Sequence, residues 1–148
     1  MTGLGIRLFI IAAIVVGGIV FRDRLTGGAG DLKAGDCFDD KAGTEIKEVQ
    51  HHPCNEAHTA EVILVTDNDA AKGAVYPSSS GFEAWADANC VPAILSYVGP
   101  NTATLMSLNF GILYPKPTDW NNGERQMICY ITRLDQQPMM QSVHAGAS

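Results

Sequence analysis

The run LFIIAAIVVGGIVF at positions 8–21 places 14 apolar residues in a row, and this constrains the chain more than any other stretch. Read back to Leu4, the stretch is 18 residues long and is interrupted only by Arg7, whose aliphatic stem can reach a lipid surface. A helix of that length crosses a bilayer with little tilt, so residues 1–25 are expected to form a short cytoplasmic end and a single transmembrane anchor. The competing reading is a cleaved signal peptide. Arg22 and Arg24 follow the run directly and no A-x-A site adjoins it, so retention of the segment is expected. Ala13 and Gly17, followed by Gly18, form a small-xxx-small pattern that would permit close packing of one membrane helix on another.

Flanking charge leaves the orientation nearly balanced, with Arg7 on one side and Arg22, Asp23 and Arg24 on the other. The cysteines decide it. All four (Cys37, Cys54, Cys90 and Cys129) lie beyond the apolar run, and an even number in a small domain suits two disulfides in an oxidising compartment. An extracytoplasmic domain is therefore expected. From position 31 onward it carries 15 acidic against 7 basic residues, a formal charge of −8. That balance argues against nucleic acid and against anionic lipid surfaces as partners.

The Gly-rich stretch at 26–30 reads as a linker, residues 31–135 as one globular domain, and residues 136–148 as a disordered tail. Within the domain, TEIKEVQ at 44–50 and TAEVILVT at 59–66 read as strands. SGFEAWADANCVPAIL reads as a helix opened by a Ser80–Glu83 capping box. Its apolar face is Phe82, Trp85, Ala86, Asn89, Cys90, Ala93 and Ile94, and Pro92 is expected to kink or divide it. TLMSLNFGIL alternates as a half-buried strand from Met106. YPKPTDWNNG reads as a long loop ending in an Asn-Gly turn, and ERQMICYITRL as a closing strand with Met127, Cys129 and Ile131 on one face. The class is α+β: a small antiparallel sheet with a helix on one face.

Four cysteines allow three pairings. Cys37–Cys54 would close a local loop, and Cys90–Cys129 would join the helix's apolar face to the last strand. CNEAHTAEV at 54–62 invites a zinc or thiolate reading, but either needs a free thiol, which an oxidising compartment disfavours. His58 is expected to be structural, hydrogen-bonding the turn into the next strand, with His51 and His52 exposed. No phosphate loop, nucleotide fingerprint or nucleophile elbow occurs, so neither enzyme activity, nor a metal, nor any other cofactor is expected. In the loop, Tyr114, Lys116 and Trp120 are the candidate partner-docking residues. Tyr114 and Lys116 are expected to stay exposed, whereas Trp120 can serve as an interface anchor or fold back to cap the sheet, and the core role is the one expected.

Three spaced motifs carry a resemblance. They are Gly35-Asp36-Cys37-Phe38; Pro53-Cys54 with His58, Glu61 and Val62; and Pro117 and Trp120 with Gly123-Glu124-Arg125 and Cys129. Together they resemble the septum-formation domain family of actinobacterial, membrane-tethered envelope proteins. The resemblance implies a link to cell division and no defined reaction. The expected function is a non-enzymatic single-pass protein that binds membrane or envelope proteins, in division or as an accessory subunit of a larger complex. The alternative is a ligand-binding or hydrolytic domain acting on cell-wall material.

Overall fold

The computed structural model describes residues 26–27, 29–40 and 49–146. Six antiparallel strands form one sheet in the order β1-β3-β2-β4-β6-β5. They are β1 Thr26–Gly27, β2 Cys37–Asp39, β3 Val49–His52, β4 Ala60–Asp67, β5 Leu108–Leu113 and β6 Gln126–Arg133. The longest ladder joins β4 to β6, and its register shifts between Val62 and Leu64. That irregularity re-aims the side chains. Ala60, Val62 and Val65 pack with Leu32, Phe38, Val49 and Ile128, whereas the consecutive Ile63 and Leu64 both pack with Cys90, Cys129 and Ile131 beneath the helix. On β6, Met127, Cys129 and Ile131 are all fully buried, as their alternation predicts.

A single helix, Ser79–Val98, covers one face. Every residue of its expected apolar stripe is buried or half-buried. Two local expectations change. Ser78 rather than Ser80 is the cap, its Oγ accepting from Gly81 N at 3.2 Å. The helix also runs unbroken through Pro92. The carbonyl that proline deprives of a donor is that of Ala88, and both residues lie on the exposed face, where water can replace the lost bond.

Two stretches are more helical than expected. Thr102–Met106 forms a short helix capped by Asn101, so the strand begins at Leu108 and Met106 is solvent-exposed. Pro117–Asn122, expected as loop, is a helix with proline in its first turn and Gly123 at φ 103° as its left-handed C-cap. The Asn-Gly signal thus ends a helix instead of making a hairpin turn. The expected linker also has structure: Thr26–Gly27 pairs with Val49 and Gln50, and Ala29–Asp31 is a 3-10 turn. Of the strand expected at 44–50, Val49 and Gln50 lie in β3, and the rest is outside the described residues. The anchor, including Ala13, Gly17 and Gly18, also lies outside them. No helix among the described residues is long and apolar enough to cross a membrane.

The largest departure is the C-terminal segment. Residues 136–146, expected to be disordered, fold back onto the domain as a strap. His58 and Met139 exchange backbone hydrogen bonds of 3.0 and 2.7 Å, and Ala145 N donates to Tyr97 O at 2.8 Å. Met139 is 4% exposed. The anchoring groups are polar and far away in sequence, which hydropathy alone does not reveal.

Gly111 on β5 faces Tyr130 so closely that a Cβ there would lie 2.4 Å from the phenol Cζ. Tyr130 has little freedom to yield, because its ring meets Phe38 edge-on at 5.6 Å and its hydroxyl donates to Asp40 Oδ2 at 3.3 Å. Gly111→Ala is therefore expected to cost about 1–3 kcal/mol by overpacking. A denaturant midpoint equal to wild type would show that the ring moves aside freely.

Candidate functional site

Both disulfides are formed, Cys37–Cys54 and Cys90–Cys129, and none of the four cysteines is free. The first ties β2 to the turn after β3, and the second ties the long helix to β6. Each should stabilise the fold by about 3–4 kcal/mol in the loop-entropy account.

A cleft of about 500 Å³ opens where the end of β5 meets the helix Pro117–Asn122. Leu113, Tyr114, Pro115 and Ile128 give it an apolar lining, and Lys116, Asp119 and Glu124 contribute charged groups. Tyr114 is 47% exposed, with its ring stacked on Phe82 at 4.0 Å between centroids. Lys116, expected to be exposed, is half-buried, and its backbone caps that short helix.

Beneath the cleft wall the structure is rigid. Trp120 is fully buried, and its Nε1 donates to Ala74 O at 2.8 Å. It packs edge-on against Tyr76 and Phe82. Arg125, 8% exposed, lays its guanidinium 3.9 Å from the centre of the Trp120 ring. The same group donates to four backbone carbonyls, those of Ala70, Ala71, Trp120 and Glu124, at 2.7–3.0 Å. The expectation of a core role for Trp120 holds. The role of Arg125 as a cross-brace was not anticipated, although its position in the third motif marked it.

The second constellation is the His58 corner. His58 is fully buried, and its Nδ1–H donates to Glu56 O at 2.7 Å, the turn-fixing bond expected of it. This bond places the proton on Nδ1 and leaves Nε2 as a bare acceptor. Nε2 is buried with no hydrogen-bond partner. A ring nitrogen of His58, Cys37 Sγ and a Glu61 carboxylate oxygen lie within 4.8 Å of one another. The disulfide engages that sulfur, so no thiolate is offered to a metal here. Glu61, fully buried, accepts from Tyr97 OH at 2.6 Å, from Ser142 Oγ and from Val143 N at 3.0 Å. The carboxylate is what fastens the strap. The sequence did contain a signal for it: Glu61 is the one acid inside a run of buried β-branched residues.

A smaller cleft, about 210 Å³, adjoins this corner and is lined by Asp36, Cys37, His51, His52 and Cys54 among others. His51 and His52 are half-buried in it instead of exposed. His52 Nε2 lies 2.9 Å from Asp39 Oδ2, and His51 Nδ1 lies 4.0 Å from Asp36 Oδ2.

Two tyrosines carry a testable alkaline signature. Burial, then the charge of Asp40 and the bond to it, push the Tyr130 phenol up to about 12. Burial, then the hydrogen bond and charge of Glu61, raise Tyr97 well above its ordinary value. A phenol raised in the folded state favours folding below the unfolded value of about 10 and loses that contribution as pH climbs toward the folded one. Thermal melts should therefore be insensitive to these groups up to about pH 10 and fall above it. Ionisation of Tyr97 and Tyr130 themselves near pH 10, with the fold intact, would contradict this.

A family model described as septum formation matches residues 34–147. No curated protein and no solved structure matches the chain significantly. The matched span takes in every strand from β2 onward, both disulfides, the Arg125 brace and the Glu61 strap, so the chain belongs to the septum-formation family.

Proposed function

We propose that this domain is a non-enzymatic docking module of the cell envelope, held at the membrane by the apolar segment at 8–21. In this reading the cleft beside Tyr114 receives a segment of a protein partner, in cell division or as part of a larger membrane complex. The observation that carries it is the combination of an apolar-lined cleft of about 500 Å³ with a half-exposed aromatic and charged groups. Tyrosine anchors interfaces well, because it buries much area while losing few rotamers. The wall is braced by Trp120 and Arg125, so little ordering is required on binding.

The test is co-purification from the native membrane in mild detergent. Replacing Tyr114 and Lys116 together by alanine is expected to abolish recovery of the partner, with only a modest drop in melting temperature from uncovering Phe82. Full partner yield from the double variant would remove the cleft from consideration. One observation favours a second reading: Asp119 and Glu124 line the same cleft, as a hydrolytic domain acting on cell-wall material would require. Release of soluble fragments from purified cell wall by the wild type, lost in Asp119→Asn, would select that reading.

A further inference from the structure

The two disulfides occupy opposite surroundings. Cys90 and Cys129 are both 0% exposed, inside a cluster formed with Ile63, Ala86, Val98 and Ile131. Cys37–Cys54 joins a residue that is 1% exposed to a half-buried one, and both line the cleft of His51 and His52. Beside the buried sulfur stands the His58 imidazole, with Nε2 committed to nothing.

We propose that Cys37–Cys54 is a thiol–disulfide exchange site, with Cys54 attacked from the cleft, Cys37 the buried leaving group, and His58 its proton carrier. The reaction partner is a dithiol. One dithiol sulfur, as thiolate, bonds to Cys54 Sγ; the Cys37–Cys54 bond breaks and its electron pair moves to Cys37 Sγ. One proton from solvent passes to that sulfur by way of His58 once the broken bond lets the corner open, because a buried thiolate without a counter-charge is unfavourable. The second dithiol sulfur then attacks the first, and Cys54 leaves and takes a proton. The dithiol gives up two electrons and two protons, and the cysteine pair gains them. In the reverse direction His58 removes the proton from Cys37. An asymmetric pair of this kind, one residue half-buried at a cleft and the other buried beside a base, is what exchange needs, whereas the fully buried Cys90–Cys129 offers an attacking thiol no route.

The titratable groups facing this corner are Glu61 from β4, Asp36 and Asp39 from beside and within β2, His51 and His52 from β3, Tyr97 from the long helix and His144 from the strap. The experiment uses the full chain treated with limiting dithiothreitol, alkylated at intervals and mapped by peptide mass. The expected result is that Cys37 and Cys54 open at least tenfold faster than Cys90 and Cys129. Reduction should pause at two thiols per chain with native near-ultraviolet circular dichroism, and oxidised dithiothreitol should restore the same pair. Equal opening of both pairs, or loss of the fold as the first opens, would overturn the proposal. With oxidised glutathione, Cys37→Ser should trap a mixed disulfide on Cys54, and Cys54→Ser should leave Cys37 unmodified; the opposite pattern also overturns it. His58→Asn keeps an N–H for Glu56 O but removes the Nε2 acceptor. It should slow exchange about tenfold and flatten its pH dependence. A wild-type rate and profile in that variant would overturn the assignment of His58.

Discussion

Arg125→Met is expected to lower the melting temperature by about 15 °C, corresponding to about 3–4 kcal/mol in a domain of this size. Methionine fills much of the volume of the arginine stem but donates nothing. Four carbonyls lose a charged donor at once. Those of Ala71 and Glu124 belong to exposed residues and can turn to water; that of the buried Trp120 keeps only its bond from Gly123 N at 3.0 Å, and that of the half-buried Ala70 can turn to water only in part. A bond from a charged donor is worth about 1.5–3 kcal/mol where water cannot replace it, and loss of the guanidinium from the Trp120 face adds about 1–2. Against these stands a gain, since the variant no longer buries a cation that has no carboxylate partner among the hydrogen bonds described. The losses are expected to win, because the carbonyl dipoles and the indole face already compensate that charge in the native fold. Arg125→Lys should fail nearly as badly: a point charge with three donors cannot span four carbonyls set for a planar fork. Circular dichroism melts decide it, and a loss below about 5 °C for Arg125→Met would mean that relief of the buried charge cancels the lost bonds.

The contrast between Arg125 and the long helix shows what can be read in the chain before it folds. Phe82, Ala86 and Cys90 recur at helical spacing, and Met127, Cys129 and Ile131 alternate, so both apolar faces and the disulfide between them follow from local pattern. The short helices at Thr102–Met106 and Pro117–Asn122 are set by caps (Asn101 and Gly123) in stretches too short for any periodicity to show. The three-residue β2 exists because β3 and β4 flank it, information that three residues cannot hold. Of the candidate docking residues, Trp120 is fully buried and so is no docking residue; its size alone did not decide this, because a large aromatic suits an interface as well as a core. The half-burial of Lys116 was not legible either, because it stands at the cap of a helix too short for any periodicity to show. The strap was hidden most completely, since Ser142 and Val143 are held by an acid 81 and 82 positions away.

That acid supplies the second large effect. Glu61→Gln is expected to destabilise the fold by about 2–4 kcal/mol and to loosen the strap selectively. The native carboxylate accepts from a phenol, a serine hydroxyl and a backbone N–H, and all three bonds are strengthened by its charge. Glutamine can keep its oxygen toward the two hydroxyls, but its amide then faces Val143 N–H, donor against donor. One bond is lost and two revert to neutral strength, a change of about 1 kcal/mol each, with the unsatisfied buried donor adding about 1–3. Removing an uncompensated buried charge works in the opposite direction. With three donors already converging on it, that relief is the smaller term. Because the strap has few other ties, the loss should appear there first: amide exchange at Val143, Ala145 and Met139 should quicken by at least about thirtyfold, while β4 and β6 stay protected nearly to the new global limit. Tyr97 gives an independent readout. With the charge of Glu61 gone its phenol should titrate lower than in the wild type, yet still above its ordinary value, since burial is the larger cause of the shift. Strap amides as slow as wild type would show that Met139, seated in its buried slot, holds the segment without the carboxylate.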